Sequence, residues 1–272
     1  MVLALLLLLF ADKVYVQSQG TAPNTIVFVH GWAADHTFFD KQYEDFSKTH
    51  RVISFDLPGH GQSAIAEPAN MDSYVKALND LRLQTKTTKW ILVGHALGGL
   101  IAREYARRYP QQTQALILLD GSIFQLPPGA TDRSRWAENI TNMARNFGPG
   151  QERQVRERNI SVFLSNLYTD STPRELQMNI LRKILSTKPQ TAESALVAMA
   201  DLNLWKEEPL PIPVLALRAG RQQPPNDEAY LKTLFPRLQY KFLPGLSHFL
   251  MMEAPAQVNT EIHEFLKGRK LQ

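Results

Sequence analysis

The chain has 272 residues, 30 Lys plus Arg against 26 Asp plus Glu, 44% hydrophobic residues and no cysteine. That length suits one sizeable domain, or one domain with an insertion, whose core needs no disulfide or metal staple. The missing cysteines exclude disulfide scaffolds, thiolate zinc sites, iron–sulfur clusters and cysteine nucleophiles, and 21% charged residues beside ordinary apolar content argue against disorder.

Residues 2–11 (VLALLLLLFA) form an apolar run too short to cross a hydrocarbon core of about 30 Å as a helix. They read as the core and small-residue end of a secretory signal with cleavage after Ala11, although no Lys or Arg precedes them. The expectation is therefore a secreted or periplasmic protein. A buried first strand in a cytoplasmic protein is the other reading.

Past Asp12, short β-branched runs alternate with longer amphipathic stretches. Strands are predicted at 13–17, 25–29, 51–55, 89–93, 115–119, 213–217 and 238–243, most of them too continuously apolar to have a wet face, so they read as buried parallel strands. Helices are predicted near 36–48, 70–86, 97–109, 226–236 and 255–268, the last opened by Pro255. Repeated strand–helix units imply an α/β fold with a mostly parallel central sheet flanked by helices.

The alternation stops between 122 and 208. There 133–146, 151–167, 173–186 and 191–204 show helical spacing, with breaks at Gly148-Pro149-Gly150 and Thr172-Pro173. The expected organisation is a core of 12–121 and 209–272 with a helical insertion at 122–208. Residues 131–188, within this insertion, hold 10 basic and 6 acidic side chains, an excess equal to the whole net charge of +4. No aromatic-interleaved basic stripe accompanies it, and a solvated helical surface is a better reading than a nucleic-acid site.

In an open α/β sheet ligands gather at the carboxyl ends of the strands. The predicted strands are followed by His30-Gly31-Trp32, by Asp56-Leu-Pro-Gly-His-Gly-Gln-Ser63, by Gly94-His95-Ala96-Leu97-Gly98-Gly99, and near the end by Gly245-Leu246-Ser247-His248. In this order, and with these elements between them, the motifs resemble the α/β-hydrolase fold superfamily over nearly all of residues 13–268. The resemblance implies an esterase or lactonase with a cap over its active site.

The superfamily's strand–G-x-S-x-G–helix element is a tight turn that lifts a serine nucleophile above the sheet. Here Ala96 holds that position, and alanine has no hydroxyl to activate. Either a functional serine was replaced, to trap a ligand or disable the enzyme, or the serine was lost naturally; the intact remainder of the machinery favours the first. By the same resemblance His248 is the base. The orienting acid is Asp120, at the end of the 115–119 strand, or alternatively Asp227, because the usual place after the 213–217 strand holds Gln223. The backbone N–H groups of Trp32 and Leu97 would form the oxyanion hole. His30 and residues 56–63 read as loop-shaping, His36 and His50 lack a motif, and His263 reads as solvent-facing.

Among the apolar residues of the insertion and its flanks, Trp205 and Phe124, with Trp32, are the candidate substrate-binding residues. The arginines at 133, 135, 145, 153, 156 and 158 either keep the cap soluble or meet an anionic substrate. Nothing resembles a metal cluster, dinucleotide loop or P-loop, so no cofactor or metal is expected. The expected partner is a small ester or lactone, with no nucleic acid and no stable membrane span; the sequence leaves the oligomeric state open. Two other readings keep Ala96 as natural: a cofactor-free, dioxygenase-like enzyme working through His248 and a carboxylate, and a non-catalytic ligand-binding protein.

Overall fold

The β-branched runs pair into one sheet. In a computed structural model, which describes residues 14–64 and 69–271, the strands are β1 (Val16–Gln19), β2 (Thr25–Val29), β3 (Arg51–Phe55), β4 (Trp90–His95), β5 (Thr113–Leu119), β6 (Val214–Gly220) and β7 (Leu238–Pro244). They lie in the order β1-β3-β2-β4-β5-β6-β7. The apolar run 2–11 lies outside the described residues.

Every ladder from β3 to β7 is parallel. β1 departs from the expectation: it pairs antiparallel with β3, Val16 opposite Phe55, and begins later than position 13. Its connection to β2 is only residues 20–24, too short for the crossover that a parallel neighbour needs. The other edge strand, β7, is also wetter than predicted, with Lys241 exposed. An edge strand has a neighbour on one side only, and charge there blunts pairing with another chain.

Helices α1 (Asp40–Phe46), α2 (Met71–Gln84), α3 (Leu97–Arg108), α8 (Asp227–Leu234), α9 (Leu250–Glu253) and α10 (Pro255–Gly268) connect or close the strands. The boundaries follow local chemistry. The Asn70 side chain accepts from the Ser73 N–H at 3.0 Å while the Asn70 N–H donates to Ser73 Oγ at 3.1 Å, a reciprocal cap that starts α2. Pro255 begins α10, whose Val258, Ile262, Phe265 and Leu266 form one buried stripe. The four-residue α9 escapes sequence periodicity because it is barely one turn long.

Between β5 and β6 lie α4 (Ala130–Arg145), α5 (Arg153–Ser165), α6 (Arg174–Ser186) and α7 (Pro189–Val197). The insertion is tied to the loop after β2 and to α3 at several points. Trp32 Nε1 donates to the Ala192 carbonyl at 2.7 Å, Thr187 Oγ1 to that of Ala33 at 2.8 Å, and buried Arg103 of α3 to that of Leu204 at 2.7 Å. Among the described residues no helix is long and apolar enough to cross a membrane.

His263, predicted to face solvent, is partly exposed but also engaged. Its Nε2 lies 2.8 Å from Asp45 Oδ2, and its ring stacks on Phe46 with centroids 4.3 Å apart. Both partners sit on α1, far away in sequence.

Candidate active site

The turn from β4 to α3 is tight. Ala96 has φ 49° and ψ −119°, a left-handed backbone that costs a non-glycine residue about 1–3 kcal/mol. Neighbours hold it there: its N–H donates to the Leu119 carbonyl at 3.3 Å, and its carbonyl accepts from Gly99 at 3.0 Å and Ser122 at 2.9 Å. The flanking glycines make the turn fit. A Cβ on Gly94 would lie 2.5 Å from the Gly98 carbonyl oxygen, and one on Gly98 would run into the carbonyls of Val29 and His30.

These obstacles are backbone atoms that cannot rotate away. Gly98→Ala is therefore expected to cost at least about 3 kcal/mol in urea unfolding, beyond ordinary overpacking. Gly150→Ala, where a Cβ meets nothing within 4 Å, should cost less than about 1 kcal/mol.

His248 follows β7, and Asp120 follows β5. The His248 Nδ1 lies 2.5 Å from Asp120 Oδ2. A carboxylate only accepts, so Nδ1 carries the proton and Nε2 is left as the free base. Asp120 is itself left-handed, φ 45°. Burial pushes its carboxyl up, but the His248 hydrogen bond and the charges of His248 and Arg218 outweigh burial and hold it below the ordinary carboxylate value. The His248 backbone is fixed as well, its N–H donating to the Leu167 carbonyl at 3.0 Å.

His95, one residue before Ala96, donates from Nε2 to the His248 carbonyl at 2.9 Å. Its buried Nδ1 has no partner among the described residues. Burial, then the neighbouring His248, pushes this imidazole down to about 3, so at neutral pH it is uncharged and does not compete with His248 for a proton.

The other predicted acid, Asp227, is engaged elsewhere. Arg218 grips it from Nε at 2.8 Å and from Nη2 at 2.9 Å, and Tyr240 donates to it at 3.0 Å. It is buried without pointing at His248.

A cavity of about 180 Å³ opens over Ala96. His95, Ala96, Leu97, Ser122 and His248 lie on its wall together with Trp32, Met143, Phe163, Leu167, Met199 and Phe249. No Lys, Arg, Asp or Glu is among the lining residues. The Trp32 N–H donates to no acceptor among the described residues, and the Leu97 N–H, first in α3, has no acceptor within its helix.

Of the predicted substrate-binding residues, Trp32 lines the cavity and the other two do not. Trp205 is buried with its Nε1 donating to the Met199 carbonyl at 2.9 Å, packed against Phe124 and Trp136 with centroids 4.7 and 5.0 Å away. Phe124 is partly exposed at the foot of the insertion. These aromatics pack against one another within the insertion and leave the wall to Met143, Phe163 and Leu167.

The loops beneath the cavity are held by histidines. His30 Nε2 accepts from the Leu57 N–H at 2.9 Å, so its Nδ1 is protonated and donates to the Gly31 carbonyl at 2.9 Å. His36, without a motif in the sequence, binds Asp56 Oδ1 through both its backbone N–H at 2.8 Å and its Nδ1 at 2.7 Å. Burial pulls the His36 imidazole down, but the Asp56 hydrogen bond and charge raise it above 6.5 overall. Burial likewise raises the Asp56 carboxyl, and the His36 hydrogen bond with the charges of His30 and His36 lowers it overall.

The raised imidazole contributes stability fully below about pH 6.5 and loses it as pH rises through its folded value; the depressed carboxyl contributes above about pH 4 and loses it as pH falls through its folded value. The gap in urea midpoint between the unaltered chain and His36→Gln should be widest near pH 5.5 and narrow toward pH 9. A gap independent of pH would contradict the pairing.

The sequence model described as alpha/beta hydrolase fold matches residues 24–255. Among solved structures, a thermophilic esterase from Thermogutta terrifontis is 27% identical with a TM-score of 0.79, over 94% of this chain and 93% of that one. A pimeloyl-[acyl-carrier protein] methyl ester esterase from Shewanella woodyi is 25% identical over 68% of this chain and 68% of its own length. A probable 1-acylglycerol-3-phosphate O-acyltransferase from Oryza sativa subsp. japonica is 30% identical over 42% of this chain, and the match spans only 29% of that relative's length. Both ester hydrolases and an acyltransferase are thus among its relatives. By the extent of the family match and the sheet topology together, the chain belongs to the alpha/beta hydrolase fold family.

Proposed function

We propose that the cavity is the acyl-transfer site of a serine-type hydrolase for uncharged carboxylic esters or lactones, in which Ala96 stands where the nucleophile would be. The observation that carries this reading is His248 Nδ1 held 2.5 Å from Asp120 beside a cavity whose wall includes the Ala96 turn. In the serine form, the position-96 hydroxyl attacks the carbonyl and His248 Nε2 takes its proton. The N–H groups of Trp32 and Leu97 meet the developing oxyanion, and the imidazolium returns the proton to the leaving alkoxide. Water then repeats the sequence to release the acid. In the present chain the N–H donors and the apolar wall remain, so it binds such ligands with very slow turnover.

The lining argues for the substrate's charge. A phosphate or carboxylate buried among Met143, Phe163, Leu167 and Met199 would find no Lys or Arg, and desolvating an unpaired anion costs several kcal/mol. The basic excess of the insertion does not supply one, since none of its arginines lines the cavity. This sets the chain apart from what the rice relative's name says of that protein. An apolar cavity of about 150 Å³ holds a benzene ring, so about 180 Å³ accommodates roughly six non-hydrogen atoms.

Calorimetric titration of the unaltered chain with a series of alkyl esters tests this. Affinity should rise with acyl length and level off beyond about six buried atoms, while analogues ending in carboxylate or phosphate should bind at least about 100-fold more weakly. Equal affinity for neutral and anionic members would overturn it. Ala96 itself favours a second reading, a binding protein without catalysis; that reading expects unchanged tight binding and no turnover when serine is installed.

A further inference from the structure

Behind Asp120, and away from the cavity, lies a buried cation that the chemistry described so far does not use. Arg218, near the end of β6, is almost fully enclosed. Besides its two bonds to Asp227, it donates from Nη2 to the Ile123 carbonyl at 2.5 Å and from Nη1 to the Gly121 carbonyl. Its Nη1 lies 4.0 Å from Asp120 Oδ1. A guanidinium has five N–H donors in a rigid fork, and four are engaged here.

This fork touches both sides of the residue sequence that must be held. Asp120 is left-handed, and the two carbonyls clamped by Arg218 belong to the residues one and three positions later. Between them the Ser122 N–H is fixed to the Ala96 carbonyl at 2.9 Å. Asp227, left over as a candidate acid, braces the fork from behind, with Tyr240 donating to the same carboxylate.

We propose that Arg218, braced by Asp227, is a positioning residue that aims the Asp120 carboxylate at His248 and partly offsets its charge. The inference rests on reading His248 and Asp120 as base and orienting acid. Two carboxylates share one guanidinium: Asp227 takes most of its charge at hydrogen-bond distance, and the remainder acts on Asp120 from 4.0 Å, so Asp120 keeps most of its own charge for the imidazole. Among the described residues, other titratable or charged groups around this centre include His95 on β4, Tyr240 on β7, Glu228 on α8, whose charge acts on Tyr240, and Glu253 on α9, which accepts from the Ser247 N–H at 2.8 Å.

The test is the titration of the His248 ring, followed by heteronuclear NMR in the unaltered chain and assigned by its loss in His248→Gln. It needs no substrate and no nucleophile. Arg218→Met removes a positive charge near Asp120 and His248, and should move the midpoint up by about one pH unit. Asp227→Asn unmasks the guanidinium and should move the midpoint down by several tenths. Arg218→Lys keeps the charge and should restore the midpoint to within about 0.3 of the unaltered chain.

A purely structural role would loosen the pair and shift both single variants the same way, and that outcome would overturn the proposal. If Arg218→Met does not fold, because it strands a buried carboxylate, the double variant Arg218→Met/Asp227→Leu removes both charges together. It should still move the midpoint up, and an unmoved midpoint in that folded protein would overturn the proposal. Failure of a serine at position 96 to create esterase activity would count against the proposed function and leave this titration unchanged.

Discussion

Ala96→Ser is expected to raise kcat/KM on a short-chain p-nitrophenyl ester by at least about 10³-fold over the unaltered chain. In serine hydrolases, removing the nucleophile or the base alone costs about as much as removing the whole triad, and what remains is the oxyanion hole and binding. On the proposed function this chain stands at that residual level, and one oxygen should recover most of the difference. The backbone is already prepared: Ala96 is held at φ 49° by bonds from Gly99 and Ser122, and its side chain borders the cavity. The strain of the turn is already present with alanine, so serine adds a hydroxyl without adding a backbone cost. The gain should vanish in Ala96→Ser/His248→Ala, because an unassisted serine hydroxyl is a poor nucleophile.

In that serine form, Asp120→Asn should lower kcat on the order of 10⁴-fold. Asn keeps the shape, but its side chain can present an N–H to Nδ1, which selects the wrong imidazole tautomer and withdraws the charge that stabilises imidazolium. Asp227→Asn should lower kcat by less than about 10-fold, since its carboxylate touches Arg218 and Tyr240 and not His248. Initial rates across pH 6–9 separate the two outcomes. Comparable losses from both substitutions would contradict the assignment of Asp120 as the orienting acid.

Much of the fold is legible from the chain. Thr25-Ile-Val-Phe-Val and Trp90-Ile-Leu-Val are continuous apolar runs because both faces of the sheet are covered, and the glycine pattern around Ala96 marks a backbone approach that only glycine permits. The strand-end positions of Ala96, Asp120 and His248 follow from those runs. Strand direction at the edge was not legible, since periodicity in Val16–Gln19 is the same whether it runs up or down.

Side-chain destinations were hidden for a different reason. Trp205 and Phe124 look like pocket residues by chemistry, yet which face an inserted helix or its return strand shows the cavity depends on contacts with residues distant in sequence. His36 finds Asp56 across 20 residues, His263 finds Asp45 across 218, and Arg218 reaches carbonyls 97 and 95 residues earlier. None of these pairs has a local spacing that could announce it. Asp227 shows the consequence: an acid at a plausible place in the chain is bound to an arginine whose direction only the assembled sheet sets.

The most direct measurement of the account is intact-mass analysis after incubation with a fluorophosphonate, whose phosphorus takes a serine oxygen in exchange for fluoride. Ala96→Ser should gain one phosphonyl group, mapped by peptide mass to position 96 and lost in Ala96→Ser/His248→Ala, while the unaltered chain gains none. An equal adduct on the unaltered chain, or a folded Ala96→Ser chain that stays unlabelled, would contradict the claim that position 96 lacks only its hydroxyl.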